Sequence, residues 1–195
     1  MGWRNVDMRY LFSQKFGDNF FLENIANMIA LGEYNFGYGK DYKHLMVVLL
    51  DNEGIGSASV VRGACQHGTN YMFGELGHIK LPSDVLCSCG QQGCLEAVVR
   101  NHLIRNGGVI DEELMEFLSI GISTAVNLYD PGVVLITGKL LSGMATSQET
   151  DFLIRIRSKI SNERSRNLRI KIQQDDMQMS VKGMCAFIFN SWFYI

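Results

Sequence analysis

A chain of 195 residues, 47% of them hydrophobic and 19% charged, is long enough to bury a substantial core within one domain. Its net charge of −2 gives no bulk attraction to nucleic acid or to an anionic membrane surface. No run approaches the roughly 20 apolar residues of a membrane span, residues 1–10 lack the basic-then-apolar pattern of a signal peptide, and two prolines without any low-complexity stretch exclude a disordered linker.

Taken in chain order, Val6–Phe16 reads as a helix with Met8, Leu11 and Phe12 on one side. Phe20–Leu22 reads as a short strand, followed by a helix whose apolar stripe is Ile25, Met28 and Ile29. Leu45–Leu50 and Gly56–Arg62 read as two strands around Asp51-Asn52-Glu53-Gly54, a segment with strong turn chemistry. Asp111–Tyr129 is the clearest helix, with Leu114, Phe117, Leu118, Ile122, Ala125 and Val126 recurring at helical spacing. Pro131-Gly132 breaks it, and the apolar run Val133–Thr137 has the composition of a strand covered on both faces. Glu149–Asn162 reads as helical, Arg169–Gln173 as a short strand, and Gly183 onward as a terminal helix. Helices alternating with buried strands predict an α/β fold.

The chemistry concentrates between Gly74 and Glu96, GELGHIKLPSDVLCSCGQQGCLE. His78, Cys87, Cys89 and Cys94 supply an imidazole and three thiols, the ligand set of a closed tetrahedral structural zinc site. Gly90 and Gly93 supply tight turns that swing Cys94 back toward Cys87 and Cys89. The competing reading is a set of unrelated buried cysteines acting as small apolar residues. Pro82, Ser83, Asp84, Ser88, Gln91 and Gln92 oppose it, because they make this a polar loop and not a core strand. Thiols used as metal ligands suit a reducing cytoplasm. Cys65 and Cys185 read as ordinary thiols outside this set.

The same segment resembles the signature of the ROK family of bacterial sugar kinases and sugar-responsive transcriptional repressors: GE-hydrophobic-GH, then CxCGxxGCxE. Phe21–Tyr34 resembles the family's ENDANxxALGEY segment, Glu53–Gly56 its GTGIG turn, and Asp130–Gly138 its late NPxxIVLGG strand. The resemblance implies the actin-like, ribonuclease-H-like fold, mainly its second, C-terminal lobe, with the zinc-binding loop of residues 74–96 attached. Family proteins open with an Asp- and Gly-containing phosphate hairpin, preceded in the repressors by a winged helix-turn-helix. Met1 enters at what looks like the end of the first lobe, so residues 1–195 read as one domain truncated at its N-terminus. On this reading DNA is reached only through a helix-turn-helix outside the chain, and a homodimer is the expected assembly.

For activity the resemblance cuts two ways. In the family's kinases the Asp after the Asn of ENDAN takes the sugar hydroxyl's proton, and this chain has Ile25 there. An aliphatic side chain cannot accept a proton, so no catalytic residue is expected. Glu53 beside Gly54 and Gly56 would repel a nucleotide's phosphates, which makes this a degenerate phosphate loop, and the late glycine pair is altered to Thr137-Gly138-Lys139. The sugar side is retained: Asn24, Glu75, His78 and Glu96 match the family's hydroxyl-binding positions. His78 then has two duties, one ring nitrogen on zinc and the other toward sugar, so the metal would preorganise the pocket. For Glu75 and Glu96 the plainer alternative is a solvated loop carboxylate. His67 is a candidate pocket contact or a solvated loop histidine, and His44 and His102 have no assignable role. The basic strip from Arg155 to Lys171 reads as the solvated face of an amphipathic helix before it reads as a phosphate-backbone contact. The expectation is a sugar-effector domain without kinase chemistry, with a sugar kinase as the alternative.

Overall fold

The computed structural model describes residues 6–52, 54–173 and 177–193. Strands β1 (His44–Asp51), β2 (Gly54–Val61), β3 (Ala64–Cys65), β4 (Val133–Thr137) and β5 (Arg169–Ile172) form one sheet in the order β3-β2-β1-β4-β5. β1 runs antiparallel to β2 and parallel to β4, and β5 extends the parallel half. Period-two alternation sends Leu45 and Val47 of β1 to one face and Met46, Val48 and Leu50 to the other. The first face is covered by α2 (Ile25–Phe36), against which α6 (Met177–Phe193) packs; the second by α3 (Leu95–Arg105), α4 (Glu112–Tyr129) and α5 (Thr146–Ser158). All five residues of β4 are buried, as its composition predicts for a strand sandwiched between helices.

The helices start where the local chemistry says they should. The Asp111 side chain accepts from the Leu114 N–H at 2.9 Å, Glu112 and Glu113 sit in the favourable first turn of α4, and Asp130 closes it in the left-handed region before Pro131. The Asn24 side chain caps α2 by accepting from the Ala26 N–H at 2.8 Å. Both α4 and α2 then bury one face, and each fully buried Leu, Ile or Met contributes about 1.5–3 kcal/mol.

Several sequence expectations need correction. Helix α1 spans Met8–Phe16, begins after the Asp7 cap and buries none of its residues; Leu11 is 52% exposed. Residues 20–22 are not a strand: the β-favouring aromatics there make ring contacts instead, Phe21 with Phe187 at 5.6 Å and Phe20 with Phe12 at 5.8 Å. Ile25 does not join the core stripe, being 45% exposed where Met28 and Ile29 are 3% and 4%. Helix α5 runs from Thr146, earlier than Glu149, and stops at Ser158, because Asn127 Oδ1 captures the Ser161 N–H at 3.0 Å and Asn162 turns left-handed. Helix α6 begins at Met177, and Gly183 lies inside it. A side chain at Gly183 would overlap the Met28 carbonyl oxygen of α2, and one at Gly32 the Met179 carbonyl oxygen, so these glycines permit a close helix crossing. Helix α3 had no counterpart among the predicted elements.

The basic strip is largely spent within the chain: Arg155 pairs with Asp151 at 2.7 Å, Lys159 with Glu116 at 2.9 Å, Arg166 with Asp130 at 3.4 Å, and Arg157 with Glu163. Among the described residues, no helix is long and apolar enough to cross a membrane.

Candidate functional site

The loop between β2 and α3 is built by its glycines. Gly74, at φ +84°, offers its carbonyl to both the Ser57 N–H at 3.0 Å and the Ser57 hydroxyl at 2.9 Å, which anchors the loop to β2. A single 3₁₀ turn, Leu76–His78, then lifts the His78 ring. Residues 79–95 fold back as an irregular hairpin, in which Leu81 N donates to Gly93 O at 2.7 Å, Cys87 N to Gln91 O at 2.8 Å and Leu95 N to Ile79 O at 2.9 Å. Gly90 and Gly93 take the left-handed turns at φ +87° and +73°. Cys94 arrives fully buried at the N-cap of α3.

One ligand atom from each of His78, Cys87, Cys89 and Cys94 lies within 4.8 Å of all the others. Cys89 and Cys94 sulfurs are 3.6 Å apart, and Cys87 Sγ is 3.8 Å from His78 Nδ1. A tetrahedron with metal–sulfur bonds of about 2.3 Å has edges of about 3.8 Å, so the donor set fits a metal ion of this class. Lys80 Nζ stands 3.0 Å from Cys94 Sγ and donates to the Gln92 carbonyl at 3.0 Å, placing positive charge beside the thiol cluster. Burial pushes the Cys87 thiol up, while the Gln91 backbone N–H, followed by the neighbouring thiols and Lys80, pulls Cys89 down. These contacts favour the thiolate form at exposed Cys89.

A polar cleft of about 160 Å³ opens beside this cluster, with Asn24, Asn27, Gly56, His67, Tyr71 and Glu75 on its walls. Glu75 Oε2 is 3.6 Å from His78 Nε2, so the imidazole points Nδ1 at the thiols and Nε2 at the cleft carboxylate. Ser57, Phe73, Gly74 and Glu75 are shared with a larger cavity of about 480 Å³ between residues 68–76 and α4. Phe73 closes against Tyr129 of α4 at 5.0 Å. Near the cleft, burial and the Glu23 charge push the Cys65 thiol up to about 12, leaving it an inert neutral thiol.

The ROK family model matches residues 1–113. The chain belongs to the ROK family. It is 38% identical over 104 residues to a glucokinase of Thermotoga maritima, covering 53% of this chain and 32% of that protein. It is 28% identical over 236 aligned positions to a xylose repressor of Caldicellulosiruptor bescii, covering 96% and 56%. Among solved structures it superposes on a ROK hexokinase from Thermus thermophilus with a TM-score of 0.72 at 25% identity, covering 90% of this chain and 66% of that one. A ROK family transcriptional regulator, homologous to the Escherichia coli MLC protein, shares the fold with a TM-score of 0.69 at 22% identity over 88% of this chain and 52% of that one. The fold is therefore the actin-like one expected, and the chain spans about a third to a little over half the length of these two curated relatives.

The structure arranges the ROK chain's candidate residues in two linked groups. Asn24 and Glu75 share the cleft. His78 joins it through Glu75, while Glu96, in the first turn of α3, sits against the thiol cluster, with Cys87 Sγ 3.5 Å from its Oε1. Glu96 Oε2 also approaches Gly77 and Gly54, where an added side chain would begin 3.1 Å and 3.6 Å from it. Gly54 opens β2 opposite Asp51, Gly56 lines the cleft, and Glu53 lies outside the described residues. Ile25 is the exposed first residue of α2, next to the Asn24 cap. His67 is no solvated loop residue: it is bound to Glu23 at 2.7 Å, a partner 44 positions away that no local pattern announces. His102 is likewise held, by Asp111 at 2.9 Å.

Proposed function

We propose that this chain is the effector-binding part of a sugar-responsive transcriptional repressor, with a kinase-like fold and no phosphoryl transfer of its own. The observation that carries this reading is Ile25, exposed at the head of α2 beside the cleft residue Asn24, where the family's kinases present the proton-accepting carboxylate. Phosphoryl transfer to a hydroxyl is mostly positioning and electrostatics, but the hydroxyl proton still needs an acceptor at that place. Binding needs none. Asn24, Glu75, His78 and Glu96 would read a sugar's hydroxyls, since carboxylates and amides held at fixed separation reject analogues that lack a partner.

His78, Cys87, Cys89 and Cys94 would hold one structural zinc, supported by the mutual spacing of their ligand atoms. The bound ion would supply rigidity and fix the imidazole's tautomer; the chain's own part is to aim Nε2 past Glu75 into the cleft. A homodimer, with DNA contacted through a helix-turn-helix elsewhere in the protein, completes this reading.

A ROK sugar kinase is the second reading, favoured by the 38% identity to the Thermotoga glucokinase. The two are separated by a coupled ATP-consumption assay run beside calorimetry, using glucose, xylose and N-acetylglucosamine. Sugar binding without ATP turnover is the expected result, and turnover clearly above the enzyme-free rate with any of these sugars overturns it.

A further inference from the structure

Four side chains of the cleft have no assigned role: Glu23, Asn27, His67 and Tyr71. Glu23 Oε2 is 2.7 Å from His67 Nε2, and Glu23 Oε1 accepts from the Asn24 backbone N–H at 2.7 Å and from Asn27 Nδ2 at 2.9 Å. The two side chains are 12% and 26% exposed, so solvent screens the pair little. Burial works to raise the Glu23 carboxyl, but the bonds from Asn27, Asn24 and His67 outweigh it and hold Glu23 below the usual carboxylate range. An ionised carboxylate can only accept, so Nε2 is the ring nitrogen that carries the proton. Nδ1 has no partner among the described residues, and in the neutral ring with this tautomer it is a free acceptor on a side chain that lines the cleft. Tyr71 is held at φ +57°, a conformation a bulky residue rarely adopts, with its ring 5.5 Å from that of His67 and 79% exposed.

We infer that the Glu23–His67 pair is a specificity element of the cleft: Glu23 locks the ring so that Nδ1 accepts from one hydroxyl of a polyhydroxylated ligand, while Tyr71 flanks the ligand's face. This inference rests on the effector-binding reading above and adds residues to its site. A merely structural pair would tie the 63–74 loop to the head of α2 and would be indifferent to which hydroxyls a ligand carries.

The test separates these roles. His67→Gln keeps an amide N–H where Nε2 stood, and so keeps the tie to Glu23, but removes the acceptor at Nδ1. Calorimetry on the purified chain first ranks glucose, xylose, galactose and N-acetylglucosamine, then the singly deoxygenated analogues of the tightest binder. His67→Gln is expected to weaken the parent sugar by about tenfold or more. One deoxy analogue should already bind the natural chain that much more weakly and lose nothing further in the variant, the signature of direct coupling between that hydroxyl and His67. Glu23→Gln, nearly isosteric, gives a second reading: its amide can donate to Nε2, which moves the ring proton to Nδ1 and should penalise the same hydroxyl. If the natural chain binds a sugar and both variants bind every analogue as it does, or lose all analogues equally, the specificity role is overturned while effector binding stands. If the natural chain binds none of these sugars, the effector reading falls and this inference with it.

Discussion

Ile25 occupies the first turn of α2 with 45% of its surface in solvent, beside the Asn24 side chain that caps the helix. A carboxylate there would face the positive end of the helix dipole, worth about 0.3–1 kcal/mol. Ile25→Asp should therefore leave stability unchanged or raise it by up to about 1 kcal/mol in urea unfolding, and a loss greater than that would mean Ile25 packs after all. Gly74 behaves oppositely. Its φ of +84° disfavours any side chain, and a Cβ there would overlap the Ser57 carbonyl oxygen. Gly74→Ala should cost about 2 kcal/mol or more in the same measurement, because left-handed strain of about 1–2 kcal/mol adds to a backbone displacement. Individual residues also mark the limit of sequence reading. The cluster able to hold a metal was legible because four donors, one imidazole and three thiols, and two turn glycines fall within residues 78–94. The Glu23–His67 contact was not, since only the folded sheet brings residues 44 positions apart together.

At the scale of elements, capping chemistry decided α4 and packing decided α6. The Asp111–Tyr129 pattern matched the observed Glu112–Tyr129 helix because the Asp cap, the acidic first turn and the apolar stripe all agree. Glycine is a poor helix interior residue, yet the place of Gly183 inside α6 is set by the nearness of Met28 on α2, which no sequence pattern reports. Helix α3 had no strong apolar stripe to announce it, and its N-cap is the buried Cys94 of the thiol cluster, which makes no side-chain capping bond. The α4 cap gives a pH prediction. The Leu114 N–H, then His102, lowers Asp111 against the opposing effect of burial. A carboxyl depressed in the folded state contributes stability above its unfolded pKa of about 3.9, and that contribution is lost as pH falls through the folded value. Asp111→Ala should cost about 1 kcal/mol at neutral pH, as N-cap losses do. The gap between natural chain and variant should close as unfolding is followed from pH 5 down to pH 2, and a gap that persists at the acid end would contradict the cap's ionic character.

For the whole molecule, the sheet and its two helical layers were legible in outline from buried strands alternating with helices, whereas strand order came only with the fold. The thiol cluster reaches across several elements: it spans the 3₁₀ turn after β2, the 79–95 hairpin and the N-cap of α3. A bound zinc would therefore cross-link β2 to α3, and metal binding by a site formed only on folding adds directly to folding free energy. Cys89 offers the cleanest discrimination, because it is exposed and packs no core. Were the cysteines merely small apolar residues, Cys89→Ser would be neutral within about 0.5 kcal/mol, as surface substitutions usually are. As a ligand it should matter far more. Protein purified without chelator should carry about one zinc per chain; Cys89→Ser should lose most of that metal. Its thermal midpoint should fall by several degrees, matching the natural chain stripped by a strong chelator, since a shift of 1 kcal/mol moves the midpoint of a domain this size by about 2–4 °C. A metal-free natural chain with an unchanged midpoint in the variant would reduce the cluster to four polar and apolar neighbours, and the preorganisation of His78 toward Glu75 would then need another cause.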